Sequence, residues 1–298
     1  MSWTRTNHFT IFRTEAIASH RSAATAHPGQ PKPACEDKVN TSFYDDLAPY
    51  YHLMYADWEG AVDRQGSALA GLMKSLGVLP GDDVLDAACG IGTQTLGLLK
   101  QGYRVTASDI SAGAVERLKA EIARRSLDAC ARVDDLRTLS HVVPSSMAAI
   151  IACDNSIPHL LTDAEILQAF RSCLQCLRPG GAAVFSVRDY AAIERKNPDL
   201  RPFGLRVDEK GNRFLSVQVW DWDGDQYDLR VYLTSESPSG ECETRVFVSR
   251  YYAISIARLM ELMEEAGFAE VRRRDDVLFQ PIFTGWRAAP TGASGSDY

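Results

Sequence analysis

Residues 84–93 contain the feature that most restricts the fold of this chain. A short apolar strand from Val84 runs into a loop with glycines at 90 and 92, and a helix begins at Thr93. Glycine lets a backbone approach a ligand closely, and the first turn of a helix presents N–H groups that have no partner within the helix. The segment therefore predicts a site for a nucleotide-like ligand at the end of a strand.

The central region continues with alternating strand-like and helix-like segments. This pattern is typical of an α/β protein with a parallel, Rossmann-like sheet covered by helices on both faces. We expect strands at Val84–Ala88, Arg104–Ser108, Ala129–Val133, Ala148–Cys153 and Ala182–Val187. We expect helices at Thr93–Lys100, Ala112–Arg125 and Asp163–Leu177, and an earlier amphipathic helix over Val62–Leu76.

The alternation of strands and helices ends after the fifth predicted strand. Three segments rich in aromatic and β-branched residues, separated by turn residues, predict an antiparallel β insertion over the carboxyl edge of the sheet: Phe214–Trp222, Tyr227–Thr234 and Thr244–Tyr252. A helix at Ile254–Gly267 and two closing strands within Glu270–Arg287, one of them antiparallel, complete the domain. Trp220 and Trp222 share one strand face, as part of a lid or as an oligomer contact.

These segments define one domain over residues 41–288, with the insertion at 190–253. Residues 1–40 lack a sustained hydrophobic period and are expected to be a disordered tail, and residues 289–298 a flexible one. A homo-oligomer formed through the insertion is the protein partner that we consider.

Composition excludes several classes of function. The formal net charge is −7, the wrong sign for a nucleic-acid-binding chain. No apolar run approaches the ~20 residues that span a bilayer, and the polar start differs from a signal peptide, so we expect no membrane partner and a cytoplasmic location. The seven cysteines are scattered, and Cys173 with Cys176 lacks further ligands nearby, so no metal site is expected.

Details of the glycine loop discriminate between nucleotide cofactors. The dinucleotide fingerprint needs a third glycine, and this chain has Thr95 there. Asp86, at the strand end before the loop, would repel a pyrophosphate but attract a cationic ammonium group, directly or through water. The loop therefore favours S-adenosylmethionine over NAD, and a nicotinamide oxidoreductase is the rival interpretation.

Acids at the ends of the next two strands fit an adenosine ligand. Asp109 ends the second strand, where either cofactor class places a carboxylate that accepts ribose hydroxyls. Asp134, Asp135 and Leu136 end the third strand, where a carboxylate suits the adenine amino group and the leucine a ring face. The alternative is an Asp pair that begins a loop and a leucine that belongs to the core.

The motifs D-A-A-C-G-I-G-T, S-D-I-S, D-D-L and L-R-P-G-G, in this order, resemble those of class I S-adenosylmethionine-dependent methyltransferases over about residues 43–288. The chain is further similar to glycine and sarcosine N-methyltransferases, through the segment from Cys153 to Leu160 and that from Val187 to Tyr190. The opening segment Phe43–Leu53 is shared by many small-molecule methyltransferases, and the resemblance places it over the cofactor.

The resemblance implies a set of site residues. It places Asn155, Ser156 and His159 beside the methyl donor and makes Arg188 the anchor for a substrate carboxylate. The candidate catalytic residues are Asn155, His159 and Tyr44, and the candidate substrate-binding residues are Arg188, Tyr190 and Asn155. The candidate cofactor-binding residues are Asp86, Ala88, Gly90, Gly92, Asp109, Ile110, Asp134, Asp135, Leu136, Cys153 and Tyr51.

Several of these residues have simpler interpretations. His159 also suits a polar cap for the helix that follows it, and Arg188 an ion pair with a neighbour such as Asp189. Tyr44 and Tyr51 also suit an aromatic stripe that only packs. The sequence alone does not decide between these interpretations and the roles in the site.

The sequence thus predicts an enzyme that transfers a methyl group from S-adenosylmethionine to a small molecule, with an amine or amino acid such as glycine or sarcosine as the expected acceptor. An O- or C-methyltransferase of a small natural product, and a noncatalytic S-adenosylmethionine-binding protein, are the alternatives.

Overall fold

The computed structural model describes residues 36–289. Within this part of the chain there are six α-helices and eleven β-strands. The helices are α1 Glu36–Leu47, α2 Trp58–Ser75, α3 Thr93–Lys100, α4 Ala112–Arg124, α5 Asp163–Cys176 and α6 Ile256–Ala266. The strands are β1 Asp83–Asp86, β2 Arg104–Asp109, β3 Cys130–Val133, β4 Met147–Ala152, β5 Leu177–Ser186, β6 Asp199–Val207, β7 Arg213–Asp223, β8 Gln226–Glu236, β9 Cys242–Tyr252, β10 Ala269–Arg274 and β11 Ile282–Trp286.

Seven of these strands form the main sheet, in the order β10-β11-β5-β4-β1-β2-β3. Pairing is parallel from β5 to β3, and β11 runs antiparallel to both of its neighbours. This confirms the predicted Rossmann-like sheet with an antiparallel closing strand. The chain proceeds from β1 outward to β3 on one side and returns through β4 on the other. The crevice between the carboxyl ends of β1 and β4 is therefore the topological switch point, where α/β sheets bind ligands.

The other four strands form the predicted insertion, an antiparallel sheet in the order β6-β7-β8-β9. Its inner face carries large buried side chains, among them Trp220, Tyr227 and Tyr251. Strand β9 packs against α1, and the same face lies over the 3₁₀ turn Tyr51–Met54. The insertion thus covers the carboxyl end of the main sheet together with the N-terminal helix.

Local signals account for most of the element bounds. Ser111, Thr162 and Ser255 each accept a backbone N–H at the start of α4, α5 and α6. Gly97 on α3 lies so close to α2 that a Cβ there would be 2.5 Å from the Val62 carbonyl oxygen. Only glycine permits so close a crossing of α2 and α3.

Helix α2 and strand β5 begin four and five residues earlier than predicted, and three further differences concern whole elements or roles. Strand β6 was not predicted, because Pro198 just before it and Pro202 within it interrupt the sequence pattern of a strand. It is an edge strand, where proline is tolerated, and its register with β7 shifts after Pro202. Helix α1 begins at Glu36, inside the segment of residues 1–40 that we expected to be a tail. Trp220 is only 2% exposed, so it belongs to the interior of the insertion and offers no surface for an oligomer contact.

The remaining predictions about the two tails concern residues 1–35 and 290–298, which lie outside the described residues. Of the helices found within residues 36–289, none combines the length and the apolar character that a membrane span requires.

Candidate active site

The two glycines of the loop after β1 have different roles. Both have positive φ angles, +51° at Gly90 and +96° at Gly92. A Cβ at Gly92 would lie 2.3 Å from a methyl carbon of Leu118, so this glycine allows α4 to pack against the loop. A Cβ at Gly90 would have no neighbour within 4 Å. Gly90 therefore faces open space at the crevice, as a ligand-facing glycine does.

Asp86, at the end of β1, is buried beneath the loop. Its Oδ2 accepts a 2.7 Å hydrogen bond from the hydroxyl of Thr95, the residue that stands where a dinucleotide site has its third glycine. Its Oδ1 is buried and has no hydrogen-bond partner among the described residues. Burial raises the pKa of Asp86 to about 7, and the Thr95 hydroxyl opposes that rise. The unpartnered oxygen fits a ligand that brings a hydrogen-bond donor or a positive charge.

Asp109 ties the glycine loop to β2. Its two carboxylate oxygens accept N–H bonds from Gly90 at 2.8 Å and Ser111 at 2.9 Å. Burial raises its pKa, an effect that these two N–H groups oppose. The side chain remains partly exposed at the crevice, and the adjacent Ile110 is 40% exposed. An acceptor and an apolar side chain thus stand together where the ribose and adenine of a nucleoside would lie.

Asp134 and Asp135 are engaged within their own loop. Asp134 is buried and accepts N–H bonds from Asp135 and His141, while Asp135 forms an ion pair with Arg137. Leu136 is buried in the main core cluster. This is the arrangement of the simpler interpretation, in which the Asp pair begins a loop and the leucine packs. A direct adenine contact by these carboxylates stays a prediction.

The segment after β4 has an unusual backbone. Asp154 and Asn155 adopt left-handed φ angles of +59° and +67°, which non-glycine residues seldom do. The Ser186 hydroxyl and carbonyl oxygens hold the two N–H groups, at 2.7 Å and 3.1 Å. Cys153, just before them, is buried, and its carbonyl oxygen accepts the Ser156 hydroxyl. Strand β5 therefore fixes the direction in which the Asp154 side chain points.

Asn155 connects β4 to the segment after β5. Its Nδ2 donates to the Tyr190 hydroxyl at 3.0 Å, and its Oδ1 accepts the backbone N–H of Arg188 at 3.0 Å. Asn155 and Tyr190 are 2% and 3% exposed. Both residues were expected to touch substrate. In the structure both are buried, and Asn155 positions the backbone of Arg188.

Arg188 projects into the interior between the main sheet and the insertion. Its Nη1 donates to the Tyr227 hydroxyl at 3.4 Å, and its Cζ lies 5.3 Å from the centre of the Trp220 ring. Burial lowers its pKa, but the surrounding tyrosines, Tyr227 first, and the nearby charge of Asp154 raise it by more, so the guanidinium stays charged. No described acidic side chain forms an ion pair with it. The predicted alternative, a pair with Asp189, is wrong, because Asp189 pairs with Arg273.

His159 belongs to a hydrogen-bonded group in the same interior. Its Nε2 lies 2.9 Å from the Tyr44 hydroxyl, its Nδ1 lies 3.4 Å from the Ser249 hydroxyl, and its ring packs at 4.1 Å on Tyr251. Burial, with the charge of Arg188 as a smaller cause, lowers the pKa of His159 to about 3. A cap role for His159 is wrong, because Thr162 caps the next helix. The ring therefore stays neutral, and its hydrogen bond holds the Tyr44 hydroxyl in place.

A cavity of about 520 Å³ lies beside the cofactor crevice, between α1, α2, the main sheet and the insertion. Its polar and aromatic lining includes Tyr44, Tyr51, Tyr55, Arg64, Asp154, Arg188, Gln218 and Tyr251. Its apolar lining includes Phe43, Leu47, Met54, Phe203, Leu229, Val231, Val277, Leu278 and Phe279. Ligand pockets of this size hold small organic molecules. The cavity is therefore the candidate acceptor site.

Several lining residues were not singled out from the sequence. Asp154 lies directly beside the predicted Asn155, and its Oδ2 accepts a 2.8 Å bond from the Tyr55 hydroxyl. Position at a strand end was the available signal for Asp154. Gln218 and Tyr251 lie on insertion strands whose inner face is defined only by tertiary packing, so no local pattern indicates them.

The crevice fits S-adenosylmethionine. An unpartnered Asp86 oxygen, open space at Gly90, an unblocked helix start at Thr93 and a partly exposed Asp109 beside Ile110 provide the polar and apolar contacts that such a ligand needs. The fold and this site are those of an S-adenosylmethionine-dependent methyltransferase.

Comparisons with known proteins agree. A model of the methyltransferase domain family matches residues 84–181. The chain is 24% identical over 217 residues to a glycine/sarcosine N-methyltransferase of Parasynechococcus marenigrum, covering 72% of each chain. It is 30% identical over 108 residues to a ubiquinone biosynthesis O-methyltransferase of Xanthomonas campestris, covering 36% of this chain and 44% of the relative.

A solved structure shares the fold. It is an S-adenosylmethionine-bound amino pentose methyltransferase from Micromonospora echinaspora, which matches with a TM-score of 0.68 and 14% identity, over 82% of this chain and 97% of that one. The protein is an S-adenosylmethionine-dependent methyltransferase that acts on a small molecule.

Proposed function

We propose that the protein is an N-methyltransferase whose acceptor is an amine that carries a carboxylate, such as an amino acid. The observation that carries the proposal is the charged Arg188 guanidinium, which lines the cavity and has no ion-pair partner among the described residues. A buried charge without a partner is unfavourable. A substrate carboxylate supplies that partner, and a planar guanidinium binds it through two parallel hydrogen bonds.

The site holds the acceptor and adjusts its charge. S-adenosylmethionine supplies a methyl group on a sulfonium, whose leaving group is already good, so alignment of nucleophile, methyl and sulfur is the main requirement. Arg188 binds the carboxylate end of the acceptor. The hydrogen bond from the Arg188 N–H to Asn155 Oδ1 holds the backbone of Arg188 in place. Tyrosine faces around the cavity can accommodate the positive charge that moves to the nitrogen.

The acceptor amine must lose a proton before it attacks, because only the unprotonated nitrogen has a lone pair, and burial beside a cation lowers its pKa. The Tyr44 hydroxyl lines the cavity and bonds the neutral His159 ring at 2.9 Å, so this pair can orient the acceptor by a hydrogen bond. A ring with a pKa of about 3 does not keep the proton, which passes to solvent. We assign catalytic roles to Tyr44 and His159 through this hydrogen bond and a positioning role to Asn155.

We assign the cofactor contacts to the crevice residues described above. Gly90, the Thr93 helix start and Asp86 face the methionine part, Asp109 the ribose, and Ile110 the adenine. Tyr51, at the boundary of crevice and cavity, covers the reacting centre.

Glycine and sarcosine, after which the Parasynechococcus marenigrum relative is named, are the simplest acceptors with both groups. They occupy a small part of a cavity of about 520 Å³, so larger amino acids also fit.

O-methylation is the second candidate. The likeness to a ubiquinone biosynthesis O-methyltransferase of Xanthomonas campestris favours it, although the His159 ring, with a pKa of about 3, is a weak base for a phenol. In that case the acceptor has no need for an amine.

The test is a screen for S-adenosylhomocysteine release with amino acids, amines without a carboxylate, carboxylates without an amine, and phenols. Our proposal predicts turnover with amino acids and none with phenols. Turnover that requires a phenol and ignores the carboxylate would select the second candidate.

A further inference from the structure

The same cavity contains a second charged side chain, Asp154, to which no role has been given. Of the charged residues that line the cavity, Arg64 pairs with Asp57 at the surface. Asp154 and Arg188 line the cavity without forming an ion pair to each other or to any other described residue. We infer that Asp154 binds the acceptor's amine nitrogen, so that the two charges together select a zwitterionic acceptor. This inference rests on the proposed function.

The position of Asp154 is held by several contacts, although its backbone is unfavourable. A left-handed conformation is unfavourable for a residue other than glycine. The 2.7 Å bond from the Asp154 N–H to Ser186 Oγ and the 2.8 Å bond from the Tyr55 hydroxyl to Asp154 Oδ2 maintain it. Tyr55 occupies only one carboxylate oxygen. Asp154 Oδ1 makes no hydrogen bond within the described chain and is available to an N–H donor in the cavity.

The charges of the cavity match those of an amino acid. Arg188 and Asp154 follow adjacent parallel strands, β5 and β4, so they lie on the same edge of the sheet. We place the carboxylate of the acceptor on Arg188 and its nitrogen on the β4 side, toward Asp154. The crevice after β1 adjoins β4 on its other side, so in this arrangement the nitrogen lies between Arg188 and the methyl donor.

A carboxylate at this place also suits the methyl-transfer step. The ammonium of a zwitterion has no lone pair, so the bound nitrogen first loses one proton to solvent. Its lone pair then forms the new N–C bond, the C–S bond breaks, and the electron pair of that bond stays on sulfur. Positive charge thus moves from sulfur to nitrogen with no net change in charge. Asp154, bonded to the N–H of the acceptor, orients the lone pair away from itself and stabilises the charge that appears on nitrogen.

The test compares Asp154→Asn with the wild type in binding. Asparagine tolerates the left-handed conformation and keeps an oxygen for Tyr55, but it removes the charge. Binding of phenylalanine and of 3-phenylpropanoate, its analogue without the amine, is measured by calorimetry on protein saturated with S-adenosylhomocysteine. Sarcosine and butanoate form a second, smaller pair. Asp189→Asn is the matched control, because it removes a carboxylate next to Arg188 that pairs with Arg273 instead.

In the wild type and in Asp189→Asn, we expect the amino acid to bind about 10- to 100-fold more tightly than the acid without an amine, the value of one charged hydrogen bond. In Asp154→Asn this preference should disappear, while the affinity for the acid without an amine should stay the same. If Asp154→Asn keeps the wild-type preference, or the wild type shows none, the inference is wrong and the role of Arg188 stands. If neither acid of either pair binds to the wild type, the proposed function itself is wrong, and the inference falls with it.

Discussion

Replacement of Arg188 by lysine tests the carboxylate anchor. Lysine keeps the positive charge in the cavity but lacks the planar fork, so it cannot form two parallel bonds to a carboxylate. It also loses the contact of the guanidinium with the Trp220 ring, 5.3 Å away, and the bond to the Tyr227 hydroxyl. Loss of one charged hydrogen bond costs about 1.5–3 kcal/mol. At about 1.4 kcal/mol per factor of ten, KM for an amino-acid acceptor should rise about 10- to 100-fold.

The cofactor should be unaffected by this change. Arg188 lies on the β5 side of the sheet edge, whereas the glycine loop lies after β1, with β4 between them. The assay is therefore steady-state kinetics with the amino acid varied, together with calorimetric titration of S-adenosylhomocysteine. Arg195→Lys is the matched control: Arg195 also stacks on a tryptophan, Trp222, but it is not among the described lining residues and pairs with Asp225.

The result that would refute the argument is a Lys variant with full kcat/KM for its acceptor. An equal loss in Arg195→Lys would also refute it, since the effect would then not depend on the cavity. A loss of cofactor affinity equal to the rise in KM would show that the change disturbs the sheet edge rather than the anchor.

Three further predictions concern the cofactor and the cover of the site. Gly90→Val should abolish S-adenosylhomocysteine binding. Gly180→Val should bind normally, since Gly180 also has a positive φ, +75°, and open space around it but lies at the opposite end of the sheet; equal binding by both variants would exclude the assigned loop. S-adenosylhomocysteine should protect residues 43–58 and 189–252 from limited proteolysis, and unchanged cleavage there would argue against a ligand-ordered cover. Burial raises the pKa of Asp86 to about 7, so a cationic ligand, which favours the charged carboxylate, should bind more tightly as pH rises from about 6 to 8. Binding should also release a proton, which calorimetry in two buffers would detect. A Kd that is independent of pH, without proton release, would remove Asp86 from the cofactor contacts.

Much of the main sheet follows from local patterns in the sequence. Helix α3 has the predicted bounds, Thr93–Lys100, because the glycine before it and the apolar spacing within it are both local signals. The strand ends differ by one or two residues, except that β5 begins five residues earlier than predicted, at Leu177 rather than Ala182. Strand β6 escaped prediction because its prolines are acceptable only at a sheet edge, and edge position is a property of the assembled sheet.

The site was predictable where a residue ends a strand and less so where contacts span the chain. The glycine loop, Asp109 and Arg188 follow from their positions after strands. The bond between Tyr55 and Asp154 joins residues 99 positions apart, and that between Tyr44 and His159 joins residues 115 apart. No local sequence pattern predicts hydrogen bonds between residues so far apart in the chain. The partners of Asp134 and Asn155, which decide whether these side chains are free to meet a ligand, likewise appear only in the folded chain.

The most direct test of the central claim is mass spectrometry of the acceptor after reaction with S-adenosylmethionine that carries a deuterated methyl group. We expect the label on the nitrogen of an amine that bears a carboxylate, with one S-adenosylhomocysteine formed for each methyl group transferred. Label on oxygen or carbon of an acceptor without an acid group, at a rate that Arg188→Lys leaves unchanged, would contradict it.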